Sequence, residues 1–554
     1  MFISSVPFCV LFSICAVVYA DTTFKTPSDR DGEPYKPFPA PKLDTRENEV
    51  EFWKNQAQNT LHEKLAQKLN TNRAKNVVFF LGDGLSIPTI TAARIYQGQL
   101  ANRTGEEEQL FFETFPYTGL SKTYCTDVQV ADSACTATAY LSGVKTNVRC
   151  IGVSAAVKVA DCEAAKIAAN RPTSILKWAQ DAGMATGIVT TTRVTHASPA
   201  GTYAHVPFRD MECDADVLKK GKLDPVSCNF DIAKQLVYEE PGKDIKVIMG
   251  GGRNKFLPYN ITLSKHEING SRLDEDLVYR WKEDKISKKA NATYITNVND
   301  LKSLNIDKVD YLLGLFAPEH LAYHLDNKKD QPTLEEMTET AIKILQKNAN
   351  GFFLFVEGGE IDIGHHENLA HKALDETVEF AKAIRKASEM TSEEDTLIVV
   401  TADHAHTMSM SGYPARGHDI LGLYSKGKDG LPYATLSYAN GPGYHNQTSP
   451  GVRYDLTNDD TDAINYTFPA LVPKRMETHG GDDVAVYARG PWAHLFSGNY
   501  EQNYIPIAEA YAAGIGPSAT AQTTRTANSS FTYTANYLLV VSMFAICVIV
   551  KYAA

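Results

Sequence analysis

The sequence predicts an α/β fold with a central, largely parallel sheet covered by helices, and three observations predict it. Short apolar runs of strand length alternate with helix-length amphipathic stretches. Four of those runs end in, or lead directly to, side chains that bind metals. The 554 residues are 43% hydrophobic and 22% charged, enough to bury a large core and too balanced for a collagen-like or wholly disordered chain. Lys and Arg number 55 against 66 Asp and Glu, a net charge of −11 that leaves no basic excess for gripping nucleic acid.

In chain order, Phe2 to Tyr19 is almost entirely apolar or small and closes in Val18-Tyr19-Ala20. Residues 1–20 therefore read as a secretory signal peptide cleaved after Ala20, without the usual basic start. Asp21 to Leu43, rich in Pro and charge, reads as an extended arm, and Glu49 to Leu69 has a helical pattern. The candidate strands are Val77 to Leu81, Thr186 to Thr190, Ile245 to Met249, Phe352 to Val356, Leu397 to Thr401 and Val484 to Ala488. Ser174 to Ala182, Glu335 to Lys347 and Ala370 to Ala387 are the helices between them. From about 411 to 476 the pattern changes to Gly, Pro, Tyr, Asn and Asp, which reads as a crown-like insertion over the sheet edge.

At the other end, Tyr537 to Val550 is a 14-residue apolar run closed by Lys551, whereas a spanning helix needs about 20. Upstream lie the polar spacer Phe531 to Asn536 and the small triplet Asn528-Ser529-Ser530, the layout of a glycosylphosphatidylinositol (GPI) attachment signal. The organisation expected is a signal over 1–20, one large domain over 21–528 and a removed propeptide over 529–554. The mature protein would be lipid-anchored on the extracellular face of the cell membrane; a short transmembrane helix is the alternative. Seven Asn-x-Ser/Thr sequons, at Asn102, Asn260, Asn269, Asn291, Asn446, Asn465 and Asn528, suit a secreted glycoprotein. Cys125, Cys135, Cys150, Cys162, Cys213 and Cys228 lie between the two end segments with no CxxC spacing, so disulfides are expected rather than a cysteine zinc site.

The chemistry sits at strand ends. Val77 to Leu81 runs into Gly82-Asp83-Gly84, Phe352 to Val356 into Glu357, Ile398 to Thr401 into Asp403-His404, and Ile188 to Thr190 leads to His196 and Ser198. The carboxyl ends of parallel strands form the ligand crevice of α/β sheets, so these groups converge there. One such Asp is an ordinary turn or cap residue; four strands ending this way are not. Asp362 and His366, four apart, share a helix face. Mixed oxygen and imidazole ligands suit zinc, and an all-oxygen group such as Asp83, Ser198 and Glu357 suits magnesium. Taken singly, His365, His366 and His406 each read equally well as surface histidines, and His365 and His406 are not assigned as ligands. Ser133, among small residues in ADSACTATA, is either an exposed nucleophile or part of a capped helix start, with Asp132 or Ser133 as cap.

DSACTATA, FLGDG, TTTRVTHASPAGTYAH, VEGGEIDIGHH, TADH and ETHGGDDVAVYARGP, in this set and spanning roughly Phe52 to Gly514, resemble the alkaline phosphatases, above all the animal membrane-anchored type. The resemblance implies an α/β/α sandwich, two zinc ions and one magnesium per active site, and a homodimer. Ser133 matches the phosphorylated nucleophile. Asp362, His366 and His479 match the ligands of the first zinc; Asp83, Asp403 and His404 those of the second, Asp83 also touching magnesium. Ser198 and Glu357 match further magnesium ligands, and His196 a residue holding a magnesium-bound water. Arg209 matches the phosphate-binding arginine and Asp132 the carboxylate that orients it. Cys162 and Cys228 match a disulfide pair.

The activity implied is hydrolysis of small phosphate monoesters through a phosphoserine, with a broad substrate range because little in the site reads the leaving group. Two features depart from the family. Ile363 stands where relatives carry a His or Lys that contacts phosphate through water, which loosens phosphate binding. Ala317 and Gln331 replace calcium ligands of vertebrate members, so no calcium site is expected. A sulfatase is disfavoured because no C-x-P-x-R segment exists, and an inactive binding scaffold because no matched ligand is missing.

Overall fold

A parallel sheet buried on both faces demands continuous apolar strands, and the centre of this sheet has them. The computed structural model describes residues 44–519, apart from 221–222, 224–226, 261–269, 327, 448 and 450. The expected signal peptide, arm and GPI propeptide, with Asn269 and Asn528, lie outside the described residues.

Ten strands form the main sheet: β1 Asn76–Gly82, β2 Tyr117–Lys122, β3 Ala185–Arg193, β4 Val247–Gly251, β5 Ala292–Ile295, β6 Tyr311–Leu315, β7 Phe352–Gly358, β8 Thr396–Ala402, β9 Val484–Arg489 and β10 Gly498–Glu501. Their order is β10-β2-β9-β8-β1-β7-β3-β4-β6-β5. Only β9 runs antiparallel to its neighbours. The side-chain period of two sorts β1 into two cores: Val78 and Phe80 on one face, Val77, Phe79 and Leu81 on the other.

The helices that matter here are α1 Val50–Ala66, α2 Ile87–Leu100, α3 Ser133–Ser142, α4 Ile175–Asp181, α5 Leu334–Leu345, α6 Glu360–His366, α7 Ala370–Met390 and α8 Ile505–Ala513. Leu334, Met337 and Ala341 of α5 and Leu374 and Phe380 of α7 fill the first core. Ala134 and Tyr140 of α3, Leu176 of α4 and Ala508 of α8 fill the second. The result is the expected α/β/α sandwich.

The expected strands and helices appear with ends shifted by a few residues, Ile245 to Met249 becoming Val247–Gly251 and Ala370 to Ala387 extending to Met390. The sequence reading missed β2, β5, β6 and β10. β2 alternates in burial and carries Gly119, where a Cβ would strike the Phe496 carbonyl; β5 has only four, mostly half-buried, residues. The insertion builds its own small sheets. Leu436–Gly441 lies between Ser409–Met410 and Ala470–Pro473, and Leu423–Lys426 pairs with Pro432–Ala434. Its Leu436, Tyr438 and Phe468 join the first core. Among the described residues two disulfides form, Cys162–Cys228 as the family pattern implied and Cys125–Cys135, while Cys150 and Cys213 are buried free thiols.

Glu376 on α7 is buried, accepts the His324 backbone N–H at 2.6 Å, and is pushed from 4.5 up to about 8, chiefly by burial. A carboxyl raised on folding binds more protons folded than unfolded, so it lowers stability as pH climbs from the unfolded value through the folded one. Glu376→Gln keeps the acceptor and removes the charge. The variant is expected to match the parent in unfolding free energy from urea titration at pH 4 and to exceed it by on the order of 2 kcal/mol at pH 8.5; a pH-independent difference would refute the account.

Candidate active site

Register brings the site together. β1 pairs with β7 and β8 so that Gly82 lies opposite both Gly358 and Ala402, and Thr190 of β3 lies opposite Glu357 of β7. Strands that end level deliver Asp83, Glu357 and Asp403-His404 to one edge. Gly84, at φ +69°, turns the chain there; a Cβ on it would collide with the His406 ring, and its N–H donates to Asp403 Oδ1 at 2.9 Å. The short helix Ala197–Ala200 follows β3 and presents Ser198, with His196 just before it.

Asp362 and His366 do share a face of α6, with His366 Nε2 3.3 Å from Asp362 Oδ2. His479 arrives from a distant two-residue strand paired with residues 405–406 and completes that group. Its Nε2 is 3.2 Å from His366 Nε2 and 3.5 Å from Asp362 Oδ1. In the second group His404 Nε2 lies 3.1 Å from Asp403 Oδ2 and 3.5 Å from Asp83 Oδ1. The His404 and His479 rings stack at 3.6 Å, so the two groups adjoin. A third set, Asp83, Glu357 and His196, has ligand atoms within 4.8 Å of one another.

These carboxylates face one another in a buried space. Both oxygens of Asp83, Oε1 of Glu357 and Oδ2 of Asp403 are buried with no hydrogen-bond partner. Burial above all, then the neighbouring carboxylates, pushes Asp83 well above the carboxylate range and Asp403 up to about 6; burial also takes Glu357 up to about 7 although Thr190 and Thr192 hydrogen-bond it. Burial would raise Asp362 too, but His366, His406 and His479 hold it well below its usual value. Burial lowers His404 to about 3 and His479 well below 6.5, so both offer the neutral imidazole that metals bind. Orphaned buried oxygens beside neutral imidazoles are a donor set that divalent cations satisfy.

Ser133 opens α3, its Oγ 3.2 Å from His404 Nε2. Asp132 is the helix cap, accepting from Cys135 N at 3.3 Å, and Ser133 is the next residue of the same turn; its hydroxyl is buried rather than exposed as expected, because it faces the His404 side of the site. The other oxygen of Asp132 accepts from Arg209 Nη1 at 3.1 Å, and Arg209 Nη2 donates to His196 Nε2 at 3.1 Å.

Residues 74–515 match the family model described as alkaline phosphatase. The chain belongs to the alkaline phosphatase family. It is 48% identical over 479 residues to the membrane-bound alkaline phosphatase of Bombyx mori, covering 85% of this chain and 86% of that one. It is 50% identical over 483 residues to the tissue-nonspecific isozyme of Gallus gallus, covering 85% and 91%. Among solved structures, the alkaline phosphatase of the Antarctic bacterium TAB5 superposes with a TM-score of 0.55 at 23% identity, over 80% of this chain and 99% of that one, a likeness of fold. The chain is accordingly a metal-dependent phosphomonoester hydrolase.

In this phosphatase every residue expected from the sequence, Ser133, Asp132, Arg209, His196, Ser198 and the Asp, Glu and His ligands, falls in the one site. Two buried residues at its centre were passed over. His406, expected as a surface histidine, is instead buried, as is His365, because its ring is enclosed by partners: Nε2 lies 2.6 Å from Asp362 Oδ1 and Nδ1 lies against Glu477. Against its burial, Glu477 and Asp362 raise His406 to about 10, and the ring bridges the two carboxylates and so fixes the Asp362 carboxylate. Glu477 also accepts from Thr407 N at 2.7 Å, and its backbone carbonyl accepts His366 Nδ1 at 2.7 Å. Their sequence signal was proximity to His404 and His479. His365 contacts Thr89 Oγ1 and the Tyr438 hydroxyl, both at 2.9 Å, and is a packed core residue.

Proposed function

We propose that the chain acts through a phosphoserine at Ser133, with two zinc ions and one magnesium held by the residues the family pattern assigns. The observation that carries this is the Ser133 hydroxyl lying 3.2 Å from His404 Nε2, beside buried carboxylate oxygens without partners and an arginine aligned by Asp132. Asp362, His366 and His479 would hold one zinc, Asp83, Asp403 and His404 the other, and Asp83, Ser198 and Glu357 the magnesium. When bound, such ions lower the pKa of hydroxyl and water nucleophiles and stabilise entering and leaving oxygens.

The chain's own residues do the rest. The N-terminus of α3 favours the negative charge that gathers at Ser133. Asp132 and His196 hold both Arg209 amino groups and so fix its planar fork, which suits two non-bridging phosphate oxygens. Two in-line displacements give retention at phosphorus, measurable with a chiral phosphate ester; inversion would exclude the phosphoserine. Arg209→Ala is expected to raise both KM and the phosphate inhibition constant by about 10- to 100-fold with a smaller change in kcat. A kcat loss at unchanged KM would assign Arg209 elsewhere.

The finer biology is part of the same reading. The N-terminal signal, the GPI layout of the tail and the membrane-bound name of the silkworm relative support an enzyme anchored by lipid on the extracellular face of the cell membrane. Release by a phosphatidylinositol-specific phospholipase tests it. Asn102, Asn260, Asn291, Asn446 and Asn465 are all exposed, as glycosylation requires. Helix α1 has no buried residue and exposes Trp53, Leu61 and Leu65, a surface that supports the homodimer.

A further inference from the structure

We propose that the Cys125–Cys135 disulfide is a positioning element of the phosphate site, clamping the turn that carries the nucleophile; the proposal rests on the reading of Ser133, Arg209 and His479 given above. The bond closes a loop of sequence separation 10 that contains Ala131, Asp132 and Ser133. Each of the three performs a separate task. The Ala131 carbonyl accepts His479 Nδ1 at 2.7 Å and so orients that imidazole. Asp132 aligns Arg209, and Ser133 is the nucleophile.

The sulfurs sit close to this machinery. Both lie within 4.8 Å of an Asp132 carboxylate oxygen, and since they are bonded to each other they are not metal ligands. Cys125 and Cys135 are each 2% exposed and form a small separate cluster with Ala131, Val128 and Val148. The loop between them has no strand or helix before α3. Its outer side borders an open cleft of about 550 Å³ lined by Lys122 to Gln129, Gly481 and Asp483, and Val130 is 42% exposed. Apart from the disulfide, hydrogen bonds tie its first half to residues 146–148: Thr126 N to Thr146 O at 3.0 Å, Thr126 Oγ1 to Asn147 Oδ1 at 2.8 Å and Val148 N to Asp127 Oδ1 at 2.9 Å. The second half is tied to the same segment through Asp132, whose Oδ1 accepts from Arg149 N at 3.0 Å; the disulfide adds the covalent link between the anchored first half and the first turn of α3, across the three working residues.

A merely stabilising role makes a different forecast. Cys162–Cys228 spans 66 residues and closes far more chain, so on chain-entropy grounds its loss lowers global stability more than loss of the short loop. The full-length enzyme is compared with Cys125→Ser/Cys135→Ser, an apolar alternative Cys125→Val/Cys135→Ala, and the control Cys162→Ser/Cys228→Ser. Inhibition by inorganic phosphate, zinc release to a coloured chelator and thermal midpoint are read on each. Loss of the Cys125–Cys135 bond is expected to raise the phosphate inhibition constant about tenfold and to speed zinc release, whereas the control lowers the thermal midpoint and leaves both readouts at the parent value. In an Arg209→Ala background the tenfold factor disappears, because the bond acts on phosphate through Asp132 and Arg209. Unchanged phosphate inhibition and zinc release in both variant pairs, or equal shifts in the control, would overturn the proposal. Failure of both pairs to fold would overturn it as well, by assigning the bond to global stability. A parent enzyme with neither zinc nor phosphate inhibition would instead reject the functional reading itself.

Discussion

Ser133→Ala is expected to lower turnover of nitrophenyl phosphate by at least about 10³-fold while zinc and magnesium contents stay at the parent level. The hydroxyl is the one group at the start of α3 that points to the metal-ligand cluster, through its 3.2 Å contact with His404. Removing it costs little structure: the helix is capped by Asp132, and Ser133 is buried at 1% exposure where a methyl group fits. Parent enzyme quenched in acid should carry phosphate on the peptide containing Ser133, and the variant none. Full activity in the variant, or phosphate on another residue, would end the assignment.

Removal of metal is the second large effect. Asp83, Glu357, Asp362 and Asp403 are each 3% exposed or less, and both oxygens of Asp83, Oε1 of Glu357 and Oδ2 of Asp403 have no protein partner, a deficit that bound cations would satisfy. An ion present at a thousandfold excess over its dissociation constant stabilises the fold by about 4 kcal/mol. Exhaustive chelation is therefore expected to abolish activity and to lower the thermal midpoint by on the order of 10 °C. Zinc together with magnesium should restore both. A chelated protein shown to be metal-free that keeps its midpoint would mean that these side chains are not the ion cage.

The central strands were legible because a parallel strand covered on both faces must be apolar throughout: NVVFFLG, FFLFVEG and TLIVVTA admit no other burial. β10 was not, because a strand at the sheet edge faces solvent and loses that pattern, nor was its neighbour β2, whose residues alternate in burial. Likewise the ligands announced themselves by standing directly after strands or four apart on a helix. His406 and Glu477 did not, since their significance lies in meeting each other across 71 residues of sequence, and Cys125–Cys135 was undetermined among the possible pairings.

Local chemistry by itself determined which side chains this protein has for binding ions and phosphate, and that β1, β3, β7 and β8 deliver most of them to one edge, because strand periodicity and ligand type are properties of short segments. Only the tertiary structure decided that His479 stacks on His404, that the His406 ring pins Asp362, and that a disulfide closes the loop bearing Ser133. Those depend on distances between residues far apart in the chain, which packing sets and no local pattern encodes.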